Sequence, residues 1–191
     1  MDDATQPDYL ILPINQFHKS KSFKSGSAEY LPLKTFLQKE AVKFRQGFIA
    51  QTYVVVDDDE RKDKNLVISD YEYTVLGYIT LTCSEVAIEG YKLEGCESAE
   101  KYASLPAVKI ARFAVDCRER GKKIGKLLFE HALFVAKEEI MPRVGCRFLV
   151  TDAKQGAIDF YHSREMQLLE TDANRQKKHP VMFIDLCDFP L

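Results

Sequence analysis

The chain switches between two hydrophobic rhythms, and the switch is clearest between residues 108 and 135. Val108, Ile110, Phe113 and Val115 are β-branched or aromatic, with Lys109 and Arg112 between them, and predict a strand. Ile124, Leu127, Leu128, His131 and Val135 recur at helical spacing and predict a helix with one largely apolar stripe. Asp116 to Lys123 between them is polar and cationic and holds Gly121, so it reads as a turn from strand into helix.

The same reading extends along the chain. Tyr9–Pro13 predicts a first strand. Leu31, Leu33, Phe36, Leu37, Ala41 and Phe44 predict a helix, with Ser27 as its cap and Pro32 in its first turn. Strands are expected at Gln51–Val56, Tyr73–Cys83, Cys146–Thr151, Gln167–Glu170 and Val181–Leu186, and a short helix at Gln155–Arg164. Ser84–Leu105, with glycines at 90 and 95, is irregular, and Pro142 and Gly145 punctuate the end of the long helix. The order β, α, β, β, β, α, β, α, β, β implies mixed pairing in one sheet with helices on its faces.

Composition narrows the class. A chain of 191 residues, 46% hydrophobic and 29% charged, suits one globular domain with a real core. The net charge of −2 argues against a global attraction to nucleic acid or membrane, so such a partner would be met by a local patch. No apolar run is long enough to span a bilayer, and Met1-Asp2-Asp3 does not begin a secretory signal, so a cytoplasmic protein is expected. Cys83, Cys96, Cys117, Cys146 and Cys187 are odd in number and widely spaced; they read as reduced thiols, mostly packed, and no metal is expected. The charge run Asp57–Asn65 lacks the spaced ligands and glycine of a calcium loop and reads as solvated.

The turn has a chemical use. The first N–H groups of a helix lack internal partners and sit at its partly positive end. With Arg118, Arg120, Lys122, Lys123 and Lys126 around it, this helix start suits a pyrophosphate. The spacing is neither the Walker pattern nor the dinucleotide pattern. Two further basic clusters stand at Lys19/Lys21/Lys24 and Arg175/Lys177/Lys178/His179.

Arg120 to Gly125 resembles the acyl-coenzyme A loop of the GCN5-related N-acetyltransferase (GNAT) family, Arg/Gln-x-x-Gly-x-Gly/Ala, with Lys123 where the middle glycine usually stands. Gly145–Ala153 is similar to the family's next strand. Ala157-Ile158-Asp159-Phe160-Tyr161 is similar to its A-x-x-F-Y helix, with Glu165-Met166 in place of the following Gly-Phe. Phe23–Gly26, Thr52–Val54, Leu76–Leu81 and Val181–Leu186 resemble the acetyltransferase toxins of bacterial toxin–antitoxin pairs, a branch usually shorter and more basic.

The resemblance, which runs over roughly residues 8–187, implies one α/β domain over 1–191 with a central mixed, mostly antiparallel sheet and helices on both faces. It also implies an acetyl-coenzyme A-dependent N-acetyltransferase. Arg120, Gly121, Lys122, Lys123, Ile124, Gly125 and Lys126 would hold the pyrophosphate, and backbone groups of Phe113, Ala114 and Val115 the pantetheine arm. Tyr161 would supply the proton to the departing thiolate, since a phenol of pKa about 10 stays protonated beside a thiol of about 8.5. Glu85, Asp116, His131 and His162 are candidate bases, none of them convincing. That favours an acceptor of low pKa, and the toxin resemblance implies the α-amino group of an aminoacyl-tRNA, with translation inhibition as the outcome. It also implies a small ribbon-helix-helix antitoxin as partner, and a homodimer is compatible with it. A small-molecule or peptide amine is the alternative acceptor, and a non-catalytic coenzyme A-binding module the alternative role.

Overall fold

The computed structural model describes residues 7–87 and 91–189; Met1–Asp3 and Gly90 lie outside them. Seven strands form one sheet in the order β1-β2-β3-β4-β5-β7-β6. They are β1 Tyr9–Pro13, β2 Gln51–Asp57, β3 Gly77–Val86, β4 Leu105–Val115, β5 Phe148–Asp152, β6 Gln167–Leu168 and β7 Val181–Asp185. β4 and β5 are parallel, and β1/β2, β2/β3, β5/β7 and β6/β7 are antiparallel. The expected mixed, mostly antiparallel sheet is what forms.

The chain groups into two compact units, Met1–Leu81 with Arg112–His131, and Thr82–Ala111 with Ala132–Leu191. Each has its own core. In the first, Phe23, Phe36, Val54, Val56, Tyr73 and Tyr78 pack together. In the second, Val86, Leu93, Phe148, Val150, Leu169 and Phe183 do.

The helices differ from the expected ones in detail. The first breaks at Glu40 into α1 Leu31–Lys39 and α2 Ala41–Gln46, and Ser27 makes no side-chain cap because a 3-10 turn over Ala28–Tyr30 intervenes. The long helix is α3, Ile124–Phe134, which widens into a π turn over Val135–Ile140 and ends as α4, Met141–Val144, where Gly145 is left-handed. α5 is only Ile158–His162, and α6, Asp172–Arg175, was not expected from the sequence; Thr171 caps it by accepting the Asn174 N–H.

Three expectations are corrected. β3 begins at Gly77 rather than Tyr73, because Tyr73 and Thr74 bond to the preceding charged segment. That segment is not simply solvated: Asp58 and Arg61 are buried. Of the five cysteines only Cys146 is buried, while Cys83, Cys96 and Cys187 are exposed.

Candidate active site

The turn after β4 is built on Asp116, which is buried to 1% exposure. Its carboxylate accepts from the Lys24 N–H at 3.0 Å and the Arg118 N–H at 3.0 Å, and from Arg118 Nε and Nη2 at 2.9 and 2.6 Å. Burial alone raises its pKa, but the bonds from Arg118 and Lys24 outweigh it and bring it down to about 2. A carboxylate so engaged does not act as a base. Asp116 is a bolt, and Arg118 is its partner rather than a cation held ready for phosphate.

The bolt fastens a second segment. Arg118 Nη2 donates to the Ser22 carbonyl at 2.9 Å, and the Cys117 N–H donates to the Lys24 carbonyl at 2.9 Å. Gly26, at φ +88°, lies against Arg120: a Cβ there would sit 2.9 Å from Nη2. Two basic stretches about 90 residues apart in sequence thus become one surface, and the Arg120 side chain is turned onto Gly26. No periodicity or spacing signals this.

The helix start follows. Gly121 has φ +86° and Lys123 has φ +63°. Lys123 therefore has a left-handed backbone, which glycine adopts without strain and which costs roughly 1 kcal/mol for a residue with a Cβ. The first helical bond is from the Leu127 N–H to the Lys123 carbonyl at 3.1 Å, so the N–H groups of Ile124, Gly125 and Lys126 precede the ladder. Ile124 is buried and seats α3 on β3 at Gly77, where a Cβ would come within 2.8 Å of Ile124 Cγ2 and 3.1 Å of Leu128 Cδ1. Gly77 is a positioning residue that linear reasoning did not single out.

Beside this start lies a cleft of about 560 Å³ lined by Tyr9, Gly121, Lys122, Lys123, Lys126 and Glu130, among others. Lys122 pairs with Glu119 at 2.7 Å and Lys126 with Glu130 at 3.5 Å. Both lysines are more than half exposed, and such pairs contribute little and exchange readily for a phosphate. Cations, helix N–H groups and an open cleft fit a pyrophosphate.

Phe113, Ala114 and Val115 end β4. The parallel ladder with β5 stops at Ile110–Thr151, although β4 runs on to Val115.

Tyr161 lies in the second unit, on α5, and is buried. Burial pushes its pKa up to about 12, opposed by a hydrogen bond with the Thr151 side chain. The phenol is protonated throughout the neutral range. Its helix ends in a Schellman motif: Met166 N–H bonds to the Tyr161 carbonyl at 3.1 Å and Glu165 N–H to the His162 carbonyl at 3.0 Å. Glu165 is the left-handed residue, φ +64°, and Met166 is buried to 1%. The pair Glu165-Met166 thus does what Gly-Phe would do, a cap followed by an apolar anchor.

The other candidate bases are elsewhere engaged or exposed. Glu85 accepts from Ser104 Oγ at 2.8 Å. His131 packs edge-on against Tyr53 at 4.4 Å, and His162 is exposed. Among the described residues no group of three or more His, Cys, Asp or Glu could hold a metal, and no helix is long and apolar enough to cross a membrane.

Residues 34–166 match the model of the Acetyltransferase (GNAT) family, a span that holds the turn, Tyr161 and the Schellman cap. The chain belongs to the GNAT acetyltransferase family. It is an N-acetyltransferase, with acetyl-coenzyme A as acyl donor. No curated protein sequence matches it. Among solved structures, KacT carrying a tyrosine-to-phenylalanine substitution aligns at TM-score 0.75 and 21% identity, over 94% of this chain and 95% of that one. AtaT complexed with acetyl-methionyl-tRNAfMet aligns at 0.74 and 22%, over 93% and 95%. A tyrosine-to-phenylalanine AtaT toxin bound to the C-terminus of its antitoxin AtaR and to acetyl-CoA aligns at 0.68 and 21%, over 94% of each chain. At this identity the likeness is one of fold.

Proposed function

We propose that this GNAT acetyltransferase transfers the acetyl group of acetyl-coenzyme A to the α-amino group of an aminoacyl-tRNA, as a toxin that blocks translation in the cytoplasm. The observation that carries the reading is the stitched surface at the turn, which adds Lys21 and Lys24 to the cations of the helix start; neither has an ion pair among the described residues. The fold shared with AtaT, a protein solved with an acetylated methionyl-tRNA, supports it. So does the scarcity of bases, because an α-amino group of pKa about 8 needs less help than a lysine of about 10.4.

In this reading each residue of the site has a role. Gly121 to Lys126 receive the pyrophosphate through N–H groups and the Lys122, Lys123 and Lys126 ammoniums; Arg120 contributes backbone, its exposed guanidinium lying against Gly26. Phe113–Val115 offer backbone to the pantetheine arm. Tyr161 hydrogen-bonds the sulfur as the thioester breaks. With its pKa near 12 against about 8.5 for a free thiol, full transfer of the phenol's proton is uphill, so the phenol stabilises the thiolate by hydrogen bonding as the C–S bond breaks, the proton shed by the attacking nitrogen passes to water, and the released thiolate takes its proton from solvent. The partner of such a toxin is a small ribbon-helix-helix antitoxin.

Incubation with acetyl-coenzyme A and a charged-tRNA pool should give acetylated aminoacyl ends by mass spectrometry, lost steeply as salt rises. Tyr161→Phe should lower turnover by about 10²–10³, the cost of losing one donor to a developing anion, with donor affinity nearly unchanged. Acetylation of a polyamine or peptide with every charged tRNA untouched would transfer the function to a small amine acceptor.

A further inference from the structure

β2 and β3 are antiparallel neighbours, yet nineteen residues, 58–76, connect them. Hairpins need two to five residues, and connections beyond about 12–15 are uncommon and usually functional. This one is strongly built. Asp58 and Arg61 are each 6% exposed. Arg61 Nε and Nη2 donate to the two Asp58 oxygens at 2.9 Å, Tyr73 donates to the same carboxylate, and Lys64 Nζ adds a bond at 2.7 Å. Arg61 Nη1 takes the carbonyls of Lys64 and Leu66 at 2.7 and 3.0 Å.

The polar network is inside, and what it holds outside is apolar. Leu66, Val67 and Ile68 are 50%, 62% and 38% exposed. Three consecutive large aliphatic residues at a surface are rare without a partner to cover them. Exposed Phe17 donates its N–H to Asn15 Oδ1 at 2.9 Å, and Asn15 Nδ2 donates to the Ser69 carbonyl at 2.8 Å. A cleft of about 500 Å³ runs beside them, lined by Leu66, Val67 and Tyr71 and by Asp70, Glu72 and Lys19. Lys19 is paired with Glu72. Residues 57–72 hold seven acids against three cations, a local charge of −4 where the whole chain carries −2.

The geometry points to a docking surface on the 58–76 connection for a basic amphipathic helix of a partner protein. The aliphatic trio and the cleft would take its apolar face, and Asp63, Asp70 and Glu72 would meet its cations. The connection has 3-10 turns and no strand among its residues, so it offers no edge for strand addition; an apolar groove with a charged rim is what a helix uses. Complementary charge supplies orientation and on-rate, and the apolar contact supplies residence.

The test uses the full chain and a fluorescein-labelled helical peptide with leucines at i, i+3 and i+4 spacing and lysines elsewhere, with a counterpart in which every lysine is glutamate. Anisotropy should show saturable one-to-one binding of the lysine peptide only. Val67→Asp with Ile68→Asp should weaken it at least tenfold, and Asp70→Lys with Glu72→Lys should shift preference toward the glutamate peptide. Hydrogen exchange of the complex should show protection within residues 64–72. All four positions are exposed, and unchanged acetyl-coenzyme A binding would establish that the variants fold. Equal binding by wild type and both variants, or protection confined to other segments, overturns the proposal. The readout does not depend on which amine the enzyme acetylates.

Discussion

The turn at 116–126, which linear reading assigns to an anion, and the connection at 58–76, whose charge run it assigns to solvent, are both organised by a buried aspartate paired with a nearby arginine. Asp116 is paired with Arg118, and Asp58 with Arg61. Each carboxylate is held below its ordinary range, Asp58 by hydrogen bonds from Arg61, Lys64 and Tyr73, Asp116 by bonds from Arg118 and Lys24 that overcome its burial. The difference lies in where the remaining donors go. Arg118 reaches Ser22 and Asp116 reaches Lys24, so that bolt joins two distant segments and shapes a surface of cations and helix N–H groups. Arg61 turns back to Lys64 and Leu66, so that bolt closes its own loop and leaves aliphatic side chains outside. One local device yields two kinds of surface, depending on whether its bonds run within a segment or between segments.

The sharpest test removes each bolt in turn. Asp116→Ala leaves the Lys24 and Arg118 N–H groups without their acceptor, while the half-exposed Arg118 guanidinium stays solvated, and should destabilise the fold by about 2 kcal/mol in denaturant titrations. It should also weaken acetyl-coenzyme A binding by at least about tenfold, 1.4 kcal/mol, by calorimetry. Asp58→Ala should also lower stability, with donor affinity unchanged. Equal loss of donor affinity in both would show that the two bolts are not independent.

Gly77→Ala probes the donor side alone. Its methyl would press on Ile124 and Leu128, and overpacking of this kind costs about 1–3 kcal/mol. Lower thermal stability together with weaker donor binding is expected; lower stability with full affinity would mean that the helix start tolerates a shifted seat.

Acid separates the pair in another way. Both folded-state pKa values are depressed, so each carboxylate contributes stability that is present above the unfolded value near 4 and lost as pH falls through the folded one. For Asp116 that window runs from about pH 4 to about 2. Stability of Asp116→Asn followed by circular dichroism should therefore fall less steeply there than wild type, while a parallel slope would place the acid sensitivity on other groups.

The smallest effects concern the left-handed residues. Lys123→Gly and Glu165→Gly should each raise stability by up to about 1 kcal/mol by relieving a left-handed Cβ, nearly additively if the sites are independent. For Lys123→Gly, loss of a cation should weaken donor binding mainly at low salt. A destabilised Glu165→Gly would mean that its side chain contributes more than its backbone strain subtracts.

Much of this protein was legible in its linear pattern. The order of seven strands and the main helices, the strand–turn–helix at 108–135, and the A-x-x-F-Y segment ending at Tyr161 all rest on periodicity and local backbone preference, which act over a few residues. The family resemblance was carried by those same short motifs. The substitutions at Lys123 and Glu165 read as departures, and only backbone angles revealed that both keep the conformation glycine would have supplied. What tertiary structure decided is whatever depends on partners far away in the chain. Asp116 bonds to Lys24 across 92 residues, and Gly77 must lack a side chain because Ile124 lies over it. Tyr73 left its predicted strand for a carboxylate fifteen residues earlier. A charged residue's spacing does not say whether it faces water or a partner in the interior, because that choice is fixed by which other segment folds over it.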